Sequence, residues 1–240
     1  MDSTVAHQLL ELNRHFYTEY GREFSATRER LQTGVLRVLN SLHGDEAILD
    51  LGCGNGQLAR FLSRRGHRGS YLGLDFSLPL LSEADREPFG FPVEFREMDI
   101  SLANWRSKLR PFSFDSIFAF AFFHHIPGFE LQVNIMKEIY NLLKPNGRFV
   151  FSNWQFLNRE KLKARIHSWS EVGLSPEEVE PNDYLLDWKR GGIGLRYVHH
   201  YDEDELAQLA KDSDFEIEQS FYSDGENRKL GLYQVWKKIL

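Results

Sequence analysis

An apolar run that breaks into three alternating glycines, Ile48-Leu49-Asp50-Leu51-Gly52-Cys53-Gly54-Asn55-Gly56, constrains this chain more than any other stretch. Leu58, Ala59, Phe61 and Leu62 follow at helical spacing, so the segment reads as strand, tight turn and helix. Glycine has no Cβ, so such a loop can enter φ > 0 and let a ligand lie against bare backbone. The spacing is G-x-G-x-G with Asp50 ahead of it, not the G-x-G-x-x-G that cradles a dinucleotide pyrophosphate. A carboxylate at a strand end repels a pyrophosphate and suits a cationic or zwitterionic amino-acid moiety. The plainer account is a strand-to-helix turn that holds nothing.

Two further acids bear on that choice. Ser70-Tyr71-Leu72-Gly73-Leu74 is a short apolar strand ended by Asp75, 19 residues after Gly56. A carboxylate at that distance faces the glycine loop across a crevice and can accept both hydroxyls of a ribose. Val93-Glu94-Phe95-Arg96-Glu97-Met98 ends at Asp99, whose carboxylate can take an adenine amino group or simply cap a loop. Ammonium, ribose and adenine together point to S-adenosylmethionine, with S-adenosylhomocysteine as product. Three acids on successive strand ends behind a glycine loop resemble the Rossmann-like class I methyltransferases. The resemblance also marks Asn55, Phe76, Ile100 and Phe120 as cofactor neighbours. Cys53 fits the loop as a small residue, not as a catalytic thiol.

Apolar spacing predicts one helix over 5–20 (Leu9, Leu12, Phe16, Tyr20) and another over 29–42. Strands then read as 46–51, 70–75, 92–97, 114–121 and 147–153, alternating with helical stretches, which predicts parallel strands with right-handed crossovers. Pro145-Asn146-Gly147 marks a turn before the fifth strand. Residues 170–195, broken by Pro176, Pro181, Gly191, Gly192 and Gly194, read as a lid over the acceptor site. A helix over 203–211 and strands near 215–222 and 230–237 close the chain. The class I resemblance implies an α/β fold with a doubly wound, mostly parallel seven-stranded sheet. One domain is expected over 1–240: a helical cap over 1–45, a cofactor-binding core over 46–153, an insertion or lid over 154–200, and a C-terminal helix with strands over 201–240.

Composition narrows the setting. Hydrophobic residues make up 42% of 240, enough for a globular core, and no apolar run approaches a membrane span. The first residues lack the basic and apolar regions of a signal peptide, and a single cysteine fits a reducing cytoplasm. A net charge of −6 argues against a protein that coats nucleic acid by itself. The basic clusters Arg60–Arg68 and Arg159–Arg165 read as solvated faces. Tyr140 and Lys144 have the Y-x-x-x-K spacing of short-chain dehydrogenases but sit at a helix end, where the lysine complements the helix dipole.

The fourth strand runs into His124-His125. One of these can orient the acceptor or take a proton; alternatively one caps the next helix and the other packs beneath the cofactor. No metal is expected, since neither a cysteine pair nor an H-E-x-x-H accompanies them.

The outer segments carry a narrower resemblance. Phe24-Ser25-Ala26-Thr27-Arg28 forms F-S-x-T-R, Asp183 to Trp188 forms D-x-x-x-x-W, and Arg196-Tyr197-Val198-His199 forms R-Y-x-H before an E-L helix. Together they resemble the wobble-uridine carboxymethyl methyltransferases of tRNA. The resemblance implies esterification of 5-carboxymethyluridine in the anticodon, with a small zinc-containing activating subunit as partner in eukaryotes. A carboxylate is already nucleophilic at neutral pH, so the chemistry needs alignment more than a base. Arg28 and Arg196 are the candidates to hold it, with Tyr197 and His199 shaping the pocket. The K-P-W-P that follows the family's arginine is replaced by Glu29-Arg30-Leu31-Gln32. Other readings therefore stand beside the tRNA one: methylation of a small-molecule carboxylate or hydroxyl, and a non-catalytic, cofactor-binding regulatory subunit.

Overall fold

The computed structural model describes residues 1–26, 30–109, 113–189 and 194–239. Helices α1 (Ser3–Ser25) and α2 (Thr33–Leu39) lead into β1 (Ala47–Leu51), α3 (Gln57–Arg64), β2 (Ser70–Asp75), α4 (Leu78–Ala84), β3 (Val93–Glu97) and β4 (Phe114–Phe120). Next come α5 (Phe129–Leu142), β5 (Leu143–Trp154), α6 (Glu160–Lys163), β6 (Ile166–His167), β7 (Asp183–Trp188) and β8 (Gly194–His199). The last elements are α7 (Glu203–Asp212), β9 (Phe215–Ser223) and β10 (Gly231–Lys238).

Seven strands form one sheet in the order β3-β2-β1-β4-β5-β10-β9. The neighbours among β1 to β5 pair in parallel, and β10 runs antiparallel to both β5 and β9. This is the doubly wound α/β architecture that the class I resemblance implies, with the parallel strands that the alternation predicts. β1 is apolar on both faces because both are covered. On one side Leu49 and Leu51 join Ile117, Ile135, Met136 and Leu206, from β4, α5 and α7. On the other, Ile48 and Phe118 join Val35, Leu58 and Leu62, from α2 and α3. The strand order reverses between β1 and β4, which opens a crevice beyond their carboxyl ends. Among the described residues no helix is long and apolar enough to cross a membrane.

Three expectations change. The second helix is Thr33–Leu39, shorter than the 29–42 expected: the Ser41 and Leu42 N–H groups close a turn on Val38 and Leu39, and the Glu46 carboxylate gathers the N–H groups of His43, Gly44 and Asp45 just beyond it. The Pro145-Asn146-Gly147 turn lies inside β5 as a bulge: pairing passes from Phe114 with Leu143 to Ser116 with Arg148, and Asn146 has φ +62°. The segment 170–195 is less broken than its prolines and glycines suggest, for it contains β7 and the start of β8. Together with β6 these form a three-stranded antiparallel sheet. Leu185 and Tyr197 supply its buried face, packing with Val5, Leu9, Trp169 and Leu174. Pro181 stands in the turn before β7, where Asn182 takes φ +66°, while Gly191 and Gly192 lie outside the described residues.

Helix α1 docks on that sheet through Val5 and Leu9, and one polar side chain fixes its register. Asn13, only 4% exposed, accepts from the Tyr197 N–H at 2.8 Å and donates to the Tyr197 carbonyl at 3.1 Å, as a neighbouring strand would. The helix is thereby set across the crevice mouth.

Candidate active site

The glycine loop turns as its composition requires. Gly52 has φ +70° and Gly54 φ +54°, while Gly56 (φ +75°) caps α3. The first and third glycines are packing positions: a Cβ on Gly52 would fall 2.3 Å from Phe122, and one on Gly56 3.0 Å from Ala84. Gly54 differs. A Cβ there meets nothing within 4 Å, so open space stands over the middle of the loop.

That space belongs to two joined cavities of about 160 and 250 Å³, which share Gly54, Leu80, Phe120, Ala121 and His125. The smaller is walled by Gly52, Asp75, Phe76, Asp99 and Ile100, all marked from sequence as cofactor neighbours. A third, separate cavity of about 550 Å³, lined by Asp115, Lys144 and Gly147, lies at the opposite strand ends, away from the loop and from these two.

Asp75 holds the glycine loop. Its Oδ2 accepts from the Gly54 N–H at 2.9 Å and its Oδ1 from the Ser77 N–H at 2.9 Å. One lone pair then remains on each oxygen, enough for two ligand hydroxyls. Burial raises its pKa to about 6. Asp99 accepts from the N–H and hydroxyl of Ser101 at 2.9 and 2.5 Å and from the Arg14 guanidinium, which leaves it room for one further donor. The loop-capping role weighed for Asp99 is thus present, and compatible with a ligand contact.

Asp50 is a correction. Its side chain shares the strand face of Ile48, is only 4% exposed, accepts the Tyr71 hydroxyl at 2.5 Å and lines neither cavity. Burial, together with the nearby Asp75 charge, raises its pKa to about 7. Cys53 is likewise turned away, against Gly73, with burial driving its thiol pKa well above the usual value. Asn55 lies on the larger cavity, its amide donating to Ser25 Oγ at 2.6 Å, so the end of α1 is tied to the glycine loop.

The larger cavity is bordered by His124, His125 and Arg196. Arg196, 4% exposed on β8, has its guanidinium 5.0 Å from the Trp154 ring, 5.4 Å from Phe16 and 5.9 Å from Trp188. Such faces hold a guanidinium plane in place, and Nη1 of Arg196 donates to the Tyr17 hydroxyl at 3.5 Å. His125 sets Nδ1 against the Tyr197 carbonyl at 3.0 Å and Nε2 against the Tyr17 hydroxyl at 2.8 Å. A carbonyl only accepts, so Nδ1 carries the proton and Nε2 accepts from Tyr17. His124 accepts the Trp154 N–H on Nδ1 at 3.4 Å. Both imidazoles thus direct an acceptor nitrogen at the protein itself.

Tyr197 and His199 do not shape this pocket. Alternation along β8 turns them to the face opposite Arg196. The Tyr197 hydroxyl and His199 Nδ1 each bond Asp183 Oδ1 at 2.7 Å, and His199 Nε2 pairs with Glu205. Burial alone would lower the His199 pKa, but the bonds and charges of Asp183 and Glu205 outweigh it and raise it to about 9. This buried network joins β7, β8 and α7. Arg28 lies outside the described residues. The dehydrogenase-like pair also separates: the Tyr140 hydroxyl bonds the Ile239 carbonyl and Lys144 pairs with Asp115.

Sequence reasoning missed two groups of wall residues. Leu10, Asn13, Arg14 and Tyr17 of α1 line the smaller cavity at i, i+3, i+4 and i+7 spacing. Ala121 takes φ +52°, its N–H held by the carbonyl and hydroxyl of Ser152, both at 3.0 Å. Left-handed backbone at a residue other than glycine is strain of the kind that collects at functional sites.

Comparison with known proteins agrees with this geometry. A family model described as a methyltransferase domain matches residues 48–147. A protein of Encephalitozoon cuniculi (strain GB-M1) named as a methyltransferase is 30% identical over 204 residues, 84% of this chain and 86% of that protein. The tRNA (carboxymethyluridine(34)-5-O)-methyltransferase of Macaca fascicularis is 25% identical over 151 residues, 61% of this chain and 21% of that protein. Among solved structures, a SAM-dependent methyltransferase of Methanosarcina mazei has a TM-score of 0.66 at 24% identity, covering 85% of this chain and 97% of that one, a likeness of fold. The relationship to the Encephalitozoon protein, with the domain match across the glycine loop, places the chain in the class I methyltransferase family, whose methyl donor is S-adenosylmethionine.

Proposed function

We propose that this enzyme methylates a carboxylate oxygen, and that the first acceptor to try is the carboxymethyl group of a tRNA wobble uridine. Arg196 carries the proposal. A buried guanidinium on the wall of the cavity that adjoins the glycine loop suits a carboxylate held in plane by paired donors.

Open space over Gly54 and the unspent lone pairs of Asp75 fit a cofactor in the smaller cavity, its ribose on Asp75 and its adenine toward Asp99 and Ile100. The bound cofactor supplies an electrophilic methyl group. The chain's own part is to align the acceptor, exclude water and hold the oxygen in line, so the rate gain is chiefly one of proximity. A hydroxyl acceptor needs a base, and both histidines direct an acceptor nitrogen at Trp154 or Tyr17, which favours the carboxylate. The segment 154–200, which carries Arg196, then serves as the acceptor-side wall.

The tRNA reading draws on the F-S-x-T-R and R-Y-x-H resemblance and on the partial likeness to the Macaca tRNA enzyme. The same resemblance brings a small zinc-containing subunit as a candidate partner, to be sought by co-purification. The test is Arg196→Lys with tRNA carrying 5-carboxymethyluridine. Charge is kept and the planar fork lost, so transfer should fall about ten- to thousandfold while S-adenosylhomocysteine affinity holds. Undiminished turnover by that variant overturns the carboxylate clamp.

A further inference from the structure

Helix α1 serves both joined cavities. Leu10, Asn13, Arg14 and Tyr17 wall the smaller one, where Arg14 pairs with Asp99. The same helix reaches Arg196 on the wall of the larger one. The Phe16 ring lies 5.4 Å from the Arg196 guanidinium, and the Tyr17 hydroxyl accepts from its Nη1 at 3.5 Å. Tyr17 thus belongs to the cofactor side by its place on the wall and to the acceptor side by its hydroxyl.

The hydroxyl has a fixed sense. His125 gives its Nδ1 proton to the Tyr197 carbonyl at 3.0 Å, so its Nε2 takes the Tyr17 proton at 2.8 Å and the Tyr17 oxygen is left to accept from Arg196. The far end of this chain is anchored on β8 beside Arg196, since the Tyr197 carbonyl also takes the Asn13 amide at 3.1 Å. The faces of Trp154, Phe16 and Trp188 set the plane of the guanidinium but leave its rotation within that plane soft. A hydrogen bond to one of its N–H groups is directional and sets that rotation. Two parallel bonds to a carboxylate form only when the rotation is right.

We propose that Tyr17 is a positioning residue that couples the two sites: a ligand in the smaller cavity packs against α1, and Tyr17 passes that constraint to Arg196, which then presents its paired donors to the acceptor. Tyr17 shares that cavity with Gly52, Asp75 and Phe76, and its ring meets Phe76 edge-on at 6.2 Å, so a ligand there limits how far the ring can move. Freedom removed from α1 by the first ligand is freedom the second no longer has to remove. Such coupling is reciprocal: the cofactor tightens the acceptor, and the acceptor tightens the cofactor by the same factor. The clamp is thereby formed best on the loaded enzyme, where transfer can follow. The inference rests on the acceptor-site reading above, but the response of Arg196 can be read without an acceptor.

The full chain is titrated with 5-carboxymethyluridine by calorimetry, with and without saturating S-adenosylhomocysteine, as wild type and as Tyr17→Phe. S-adenosylhomocysteine should tighten the nucleoside about fivefold or more in the wild type, and that ratio should fall to about one in Tyr17→Phe. The variant keeps the ring and its contact with Phe76 and loses only the hydroxyl, so the fold is kept. A merely structural role would weaken both ligands and leave the ratio alone. The second readout is the Arg196 Nε–H signal in NMR, assigned by its loss in Arg196→Lys. S-adenosylhomocysteine alone should shift it in the wild type, and Tyr17→Phe should lose most of that shift. A wild-type ratio of about one, a ratio that survives Tyr17→Phe, or an Arg196 signal that stays still or moves equally in the variant overturns the proposal. If the nucleoside binds in neither state while Arg196 still responds through Tyr17, the carboxylate reading falls and the coupling stands; nucleoside binding without coupling removes Tyr17 alone.

Discussion

Replacing Asp75 with asparagine separates binding from stability. The carboxylate accepts two backbone N–H groups, from Gly54 and Ser77, each at 2.9 Å. Asparagine keeps one acceptor and turns an NH₂ toward the other N–H, so one charge-assisted bond is lost and the loop loses an anchor. A hydrogen bond to a charged group contributes about 1.5–3 kcal/mol, or roughly ten- to hundredfold in affinity. Burial raises Asp75 from 3.8 to about 6, so the folded state keeps its proton at a pH where the unfolded chain has released it. Stability therefore falls as pH rises through that window, and the ionised carboxylate is a net cost above it. Asp75→Asn should accordingly bind S-adenosylhomocysteine ten- to hundredfold more weakly at about pH 7.5 yet melt at the same temperature or higher. Wild-type affinity should also decline as pH falls through about 6, with the variant flatter. Asp50, raised to about 7, titrates nearby, so the diagnostic is the difference between the two curves. Calorimetric titration and thermal melts across that range measure both. Unchanged affinity in a folded variant would refute the reasoning.

Two further outcomes follow from the geometry. Gly54→Ala meets no neighbour within 4 Å but keeps φ +54°, so it should fold with a loss of about 1–2 kcal/mol and no longer bind S-adenosylhomocysteine, as melts and calorimetry would show. The pKa of His199 is raised from 6.5 to about 9, so its stabilising contribution is complete below the lower value and lost as pH rises through the higher. Asp183→Asn should cost about 3–5 kcal/mol in urea titrations near neutral pH and flatten that alkaline decline.

How legible each part was depends on how local its cause is. The glycine loop, Asp75 and the strand alternation were readable because turn chemistry and apolar periodicity act over a few residues. The α1 wall was not: Phe16 and Leu9 mark a buried face, but nothing local says that Asn13 will pair with the Tyr197 backbone and carry Arg14 and Tyr17 over the crevice. Tyr197 and His199 were misassigned because a resemblance was transferred along a strand whose side chains alternate. Period-two parity forbids Arg196 and Tyr197 from sharing a pocket. Asp50 erred for the same reason, sharing the face of Ile48. The lid expectation counted Pro181 and Gly191 without weighing the apolar pair Leu185-Leu186 between them, which builds β7.

The central claim is methyl transfer to a carboxylate, and an ester has a chemical signature that no other methyl product shares. The purified protein is incubated with S-adenosylmethionine labelled in the methyl group and tRNA bearing 5-carboxymethyluridine, with and without candidate small subunits. The recovered nucleosides are then analysed by mass spectrometry before and after mild alkali. The account predicts label on the carboxymethyl group, released as methanol by alkali, and little transfer with Arg196→Lys. Label that resists alkali, or its appearance only on a hydroxyl or ring nitrogen, would contradict it.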